Sequence, residues 1–323
     1  MKAIVYTKYG PPDHLYMKEV EKPTTKKDEV LVRIHAASVN AADWHLLTAD
    51  IFLVRLFSGL IKPKRTILGA DIAGQVTAVG ENVRQFKPGD EVFGDVFAHG
   101  GGGFAEFVSV PETTLAPKPA NLSFEEAAAV PLAATTALHG LRDLERHQPR
   151  RKVLIQGASG GVGTFAIQIA KSFGAEVTAV CSPQNQDQAR SLGADHIIDY
   201  TNEDFTKSGQ QYDLIIAVNG YHPITAYRRA LAIGGTYEMI GGKPAQMYQA
   251  LLFGHFMSIF GNKKMGVVSS KSSRRDLLFL KEFIEAGNLL PIIDKRYPLS
   301  QTAEALRYLG QGHARGKVVI TIS

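Results

Sequence analysis

The segment Lys152-Val153-Leu154-Ile155-Gln156-Gly157-Ala158-Ser159-Gly160-Gly161-Val162-Gly163, followed by Thr164-Phe165-Ala166-Ile167-Gln168-Ile169-Ala170-Lys171, restricts the possible folds more than any other part of the chain. It reads as a buried apolar strand that turns through glycines into a helix with an apolar stripe. The first glycine permits the tight turn, the next lets backbone amides approach a pyrophosphate, and the third lets helix and strand pack closely. Glu176-Val177-Thr178-Ala179-Val180-Cys181 supplies a second strand at the distance of a βαβ unit. Dinucleotide binding is the reading this context favours, with a purely structural glycine turn as the alternative.

The chain has 323 residues, too many for one ordinary core, and suits two domains with a cleft between them. No run of about 18 or more apolar residues suggests a membrane span, and Met1-Lys2-Ala3-Ile4-Val5-Tyr6 reads as a strand and not as a leader, so a cytoplasmic location is expected. Cys181 is the only cysteine, which excludes an intramolecular disulfide and a cysteine-built structural zinc lobe. The net charge of +5 is spread over doublets such as Lys26-Lys27 and Lys263-Lys264. Solvated faces explain such doublets, and attraction of an anionic cofactor or a nucleic acid is the other reading.

Short strands with turn punctuation fill the first third of the chain, at 2–6, 29–38, 72–79, 91–97 and 104–110. At Ser123-Phe124-Glu125-Glu126 a capping box opens a helix. Strands and helices then alternate, with a last strand expected near 258–261, as in a doubly wound parallel sheet. Helices are expected near 275–286 and 300–309, and Lys317-Val318-Val319-Ile320-Thr321-Ile322 is a closing strand. The expected class is α/β, a Rossmann doubly wound parallel sheet with a β-rich domain. The expected parts are a β-rich domain 1–123, a dinucleotide domain 124–266, and a segment 267–323 that rejoins the first. Two apolar stretches, 51–61 and 251–260, are too short to span a bilayer. Around Phe52, Leu56, Phe57, Phe253 and Phe256 they suit the wall of a hydrophobic substrate cleft or a subunit interface, with shallow membrane contact as the alternative.

This order of domains resembles the medium-chain dehydrogenase/reductase superfamily, and within it the zinc-independent quinone oxidoreductase branch, including bacterial and plastid-envelope members. The residues that carry the resemblance are Leu68-Gly69-Ala70-Asp71-Ile72-Ala73-Gly74, Phe86-Lys87-Pro88-Gly89-Asp90-Glu91-Val92-Phe93-Gly94, the glycine loop, Ser191-Leu192-Gly193-Ala194-Asp195-His196-Ile197-Ile198-Asp199-Tyr200 and Gly316-Lys317-Val318-Val319. The resemblance implies that the β-rich domain is GroES-like. It also places Asn40 where zinc alcohol dehydrogenases carry a cysteine ligand, and Ala70-Asp71 where they carry a His-Glu pair, so no catalytic zinc is expected.

The resemblance further implies an NAD(P)H-dependent reductase that transfers hydride to a quinone or to the β-carbon of an α,β-unsaturated carbonyl compound, where charge spreads onto a remote oxygen without a Lewis acid. It puts Asn40, Asp43 and His45 beside the nicotinamide. Asn40 would orient the cofactor or donate to the substrate oxygen, Asp43 would fix neighbouring groups, and His45 would donate or supply a proton, a partly buried structural histidine being its other reading. Cofactor contacts implied the same way are Thr136, Ser159, Gly160, Gly161, Val162, Ser182, Tyr200, Asn219, Gly241 and Lys317. Each of these has a structural alternative, a surface charge in the case of Lys317. Cys181-Ser182-Pro183-Gln184 ends the second Rossmann strand without the acidic residue usual for NAD, which favours NADPH while leaving NADH open. Arg190 is a candidate basic contact or simply an exposed helix residue. The partners implied are a small hydrophobic quinone or enone and a second copy of the chain, with no nucleic acid. An NADPH-binding protein with a structural or RNA-binding role is the alternative from another class, and a carbonyl or alcohol dehydrogenase is a third.

Overall fold

The computed structural model describes residues 1–145, 151–242, 244–259 and 262–323. They form two compact units, Met1–Thr135 with Lys271–Ser323, and Thr136–Ser270. The units part later than the expected ends at 123 and 266. The helix Phe124–Ala128, capped by Ser123 and Glu126, packs against the strands Glu29–Val39 and Asp71–Val79 of the first unit, with the Phe124 ring stacked on His35 at 4.5 Å.

The first unit is built on a seven-stranded sheet. Its long central strand, Glu29–Val39, pairs antiparallel with Asp71–Val79 on one side and with the closing strand Lys317–Thr321 on the other. Val and Ile at Val30, Val32, Ile34, Ile72, Val76, Val318 and Ile320 bury one continuous core with Tyr6, Leu47 and Phe104, as β-branched and aromatic residues do on a pleated surface. The register places Ser38 opposite Asp71 and Val318 opposite Val39. Polar residues from three distant parts of the sequence are therefore brought together at the ends of inner strands of an apolar sheet.

In the second unit six strands run parallel in the order His196–Asp199, Glu176–Cys181, Lys152–Gln156, Tyr212–Ala217, Leu231–Met239, Lys264–Val267. Counted within the unit this is 3-2-1-4-5-6, the doubly wound order whose switch point lies between its first and fourth strands. The glycine loop leaves the carboxyl end of Lys152–Gln156 at that point. The last strand is not near 258–261. Ser258 belongs to the helix Pro244–Ile259 and the strand is Lys264–Val267, while Phe260 and Gly261 lie outside the described residues. An unbroken apolar run does not by itself separate helix from strand, and this one is long enough for several helical turns.

Candidate active site and dinucleotide cradle

In the first unit Asn40 ends the central strand and precedes the helix Ala41–Thr48. Both its polar atoms are engaged: Nδ2 donates to the Ser38 carbonyl at 3.2 Å and to Asp71 Oδ2 at 3.0 Å, and Oδ1 accepts from Lys317 Nζ at 2.5 Å. Both amide hydrogens are used, so Asn40 has none to offer a substrate oxygen and keeps one acceptor lone pair. Asp71, 0% exposed, accepts from Ser38 Oγ at 2.6 Å, from the Leu132 N–H at 2.8 Å and from Lys317 Nζ at 3.4 Å. Lys317 is 3% exposed, which removes the surface-charge reading of this residue.

Asp43 binds backbone: one carboxyl oxygen accepts from the Asn40 N–H and the other from the Gly69 N–H, both at 2.9 Å. Burial pushes its carboxyl up to about 7, against the pull of these two bonds. Burial and the neighbouring Asp71 push Asp95 up to about 7 as well. Burial also pushes the Lys317 ammonium below the usual lysine range, with Asp71, Asp43 and Asp95 opposing it. The strand ends thus enclose three carboxyl groups and one ammonium. His45 stands apart from this cluster, half-buried, with Nδ1 at 2.8 Å from Asp50 Oδ1.

In the second unit Gly157 has φ of +80°, open to glycine without strain. A Cβ on Gly163 would lie 2.2 Å from the Gly157 carbonyl oxygen, so helix and loop approach as closely as the motif requires. Gly160 precedes the helix Gly161–Ser172, which starts at Gly161 and Val162, and a Cβ on Gly160 would meet nothing closer than 3.6 Å. The space above the loop is open and the helix N-terminus favours an anion there. Ser159 and Ser182 are joined through Asn185, a residue the sequence reading did not single out. Arg190 pairs with Asp187 and Gln186 on its own helix. Tyr200 is 48% exposed and follows the strand His196–Asp199, which pairs with the strand that Ser182 follows. Asn219 and Gly241 follow adjacent strands, held through Gln156 and Ala217, and Thr136 is a half-buried residue of the helix Pro131–Glu145.

Where their side chains are described, the apolar stretches are largely exposed. Phe52, Leu56 and Phe57 lie on the helix Phe52–Ser58, Phe57 with 81% of its surface in solvent. Phe253 lines a shallow pocket with Pro223, Ile224, Gln249 and Met257, and the Phe256 side chain lies outside the described residues. No helix among the described residues is long and apolar enough to cross a membrane.

Residues 26–120 match the alcohol dehydrogenase GroES-like domain, and residues 192–320 match the family described as zinc-binding dehydrogenase. A chloroplastic quinone-oxidoreductase of Triphysaria versicolor is 33% identical over 99% of this chain and 98% of its own length. The chain belongs to the quinone oxidoreductase branch of the medium-chain dehydrogenase/reductase superfamily. It is therefore an oxidoreductase of the nicotinamide-dependent kind. This quinone oxidoreductase-like chain is also 36% identical to a 2-methylene-furan-3-one reductase of Solanum lycopersicum, over 99% of this chain and 79% of that one. Among solved structures, a quinone oxidoreductase from Coxiella burnetii superposes with a TM-score of 0.88 at 28% identity, covering 100% and 99% of the two chains.

The branch's sequence pattern pointed to Asn40, Asp43 and the glycine loop, and it missed the partnership of Asp71 with Lys317. A signal existed. An aspartate inside the apolar run Leu68–Gly74 and a lysine heading the apolar closing strand each need a buried partner.

Proposed function

We propose that this chain is a zinc-independent NADPH-dependent reductase of quinones and of α,β-unsaturated carbonyl compounds. The observation that carries the reading is the Lys317 ammonium bound to Asn40 and Asp71. Zinc-dependent relatives place metal ligands at the positions of Asn40 and Ala70-Asp71. Here those positions offer an amide whose oxygen already accepts from an ammonium, a methyl group, and a carboxylate paired with a cation. This donor set does not fit a catalytic zinc ion, which needs thiolate, imidazole or free carboxylate ligands and no ammonium beside it.

The second unit's residues fit a dinucleotide: the loop at Gly160, the close approach at Gly163 and the half-exposed Ser159 and Ser182 hydroxyls held by Asn185 make a polar cradle. Gly160, Gly161 and Val162 would hold the pyrophosphate, and Ser159, Ser182 and Tyr200 the phosphorylated ribose. Thr136, Asn219 and Gly241 would line the rest of the cofactor. When bound, the reduced nicotinamide supplies the hydride that adds to the acceptor's activated double bond or quinone ring. Asn40, clamped by Lys317 and Asp71, would have its remaining Oδ1 lone pair to orient the cofactor. Asp43 keeps the Asn40 and Gly69 backbones fixed, and Lys317 acts by holding Asn40. His45, its Nδ1 held by Asp50, relays a proton from solvent to the reduced acceptor. An enone or quinone needs less electrophilic help than a simple carbonyl, which suits a site whose ammonium is buried and already bonded to Asn40 and Asp71.

Supporting a homodimer, the strand Lys264–Val267 is paired on one side only among the described residues. The cytoplasm suits a chain whose single cysteine is buried. The reading is tested with NADPH deuterated at the transferable C4 position and an aryl enone. Deuterium recovered at the β-carbon supports conjugate addition. Deuterium at the carbonyl carbon sinks it.

A further inference from the structure

Asn185 is 7% exposed, and it ties the glycine loop to the end of the strand Glu176–Cys181. Its Nδ2 donates to Ser159 Oγ and to Ser182 Oγ, each at 3.0 Å. Its backbone N–H donates to the Ser182 carbonyl at 3.0 Å, and its Oδ1 is buried with no hydrogen-bond partner among the described residues. A lone tie between two turns would explain one of these bonds. It does not explain why one buried amide spends both hydrogens on two serine hydroxyls that are themselves half-exposed.

Hydrogen-bond accounting gives the consequence. An amide nitrogen only donates, so a hydroxyl that accepts from it keeps its own hydrogen for some other acceptor. Ser159 and Ser182 are thereby left as two outward donors joined through one rigid, buried group. A phosphate dianion offers acceptors and no hydrogens at its oxygens, and it is the ligand such a pair suits. No carboxylate stands in Ser182-Pro183-Gln184 to repel it. Arg190 is engaged by Asp187 and Gln186, so neutral donors carry the recognition.

We infer that Asn185 is a specificity-determining positioning residue, which sets the Ser159 and Ser182 hydroxyls as donors to the 2′-phosphate of NADPH. This rests on the cofactor reading above and deepens it. Asn185→Asp is nearly isosteric but only accepts. It turns both serine hydrogens inward and adds a charge that repels phosphate.

The test is calorimetric titration of the whole protein with adenosine 2′,5′-bisphosphate and with 5′-AMP, which differ by the 2′-phosphate alone. The wild-type chain binds the bisphosphate about tenfold or more tighter, as charged hydrogen bonds of this kind give. In Asn185→Asp that ratio falls to about one or below while 5′-AMP affinity stays within about threefold. In Asn185→Ala, the variant to use if the aspartate fails to fold, the ratio falls by at least about threefold. A ratio unchanged in both variants overturns the inference and leaves the NADPH reading standing. Equal loss of both fragments also overturns it, because it assigns Asn185 a structural role only. A wild-type ratio near one, with NADH bound as well as NADPH, overturns the phosphate preference itself and the inference with it.

Discussion

Replacing Lys317 with methionine keeps the aliphatic stem and removes the ammonium. Asp71 is then a buried carboxylate facing Ser38, Asn40 and Leu132 without a cation, and Asn40 Oδ1 loses its donor. At 3.4 Å the lost attraction is about 5 kcal/mol with an effective dielectric of about 20, and measured losses for breaking one side of a buried pair run about 3–5 kcal/mol. Desolvation relief of the lysine offsets part, so Lys317→Met is expected to lower the unfolding free energy of the first unit by about 3 kcal/mol or more. Trp44, the only tryptophan, packs against that unit's core, so its fluorescence in a urea titration reports on this unit without averaging over the other. Adding Asp71→Asn removes the orphan charge and should recover about 1–2 kcal/mol, a coupling that two independent sites do not show. A loss under about 1 kcal/mol, or strictly additive variants, refutes the clamp.

Asp95 titrates near 7 in the fold against a usual value of 3.8, so the folded state binds its proton more tightly than the unfolded chain. Its contribution to stability is present at low pH and declines as pH rises from about 4 to about 7, by at most about 1.4 kcal/mol per unit. Asp95→Asn lacks that decline, and its stability relative to the wild type should climb across this window and level off above it. Parallel stability curves for the two proteins contradict the assignment. Gly163→Ala places a methyl group 2.2 Å from the Gly157 carbonyl and should weaken NADPH binding at least about tenfold, read by quenching or enhancement of cofactor fluorescence. Wild-type affinity in that variant rules out the close approach as a binding requirement. His45→Ala should lower kcat with an enone about tenfold at unchanged KM, and unaltered turnover assigns the proton to water alone.

The doublet of a β-rich unit and a doubly wound sheet was legible because strand periodicity and the glycine turns are local signals. Residues 152–163 encode their own strand, loop and helix start, and Ser123 with Glu126 caps its own helix. The helix at Pro244–Ile259 was misread at its end because a continuous apolar run carries no period to separate the two structures. The site was legible in pieces. Asn40 and Lys317 are 277 positions apart, and only the antiparallel register of the closing strand on Glu29–Val39 joins them. The resemblance implies a cofactor contact for Lys317, with a surface charge as the alternative; its burial removes the surface charge and shows it as the counter-ion of Asp71. Asn185 escaped notice for a related reason. A short polar side chain after a proline turn looks like ordinary loop chemistry until both its amide hydrogens are traced to serines in two motifs.

Chelator-treated protein should be followed at 340 nm with NADPH, and separately with NADH, against a quinone, an aryl enone, an alkenal and a saturated aldehyde. Conjugate reduction without a metal predicts rapid NADPH loss with the quinone or the conjugated acceptors, undiminished by the chelator and slow with the saturated aldehyde. Turnover confined to the saturated aldehyde, or restored only by added zinc, contradicts it.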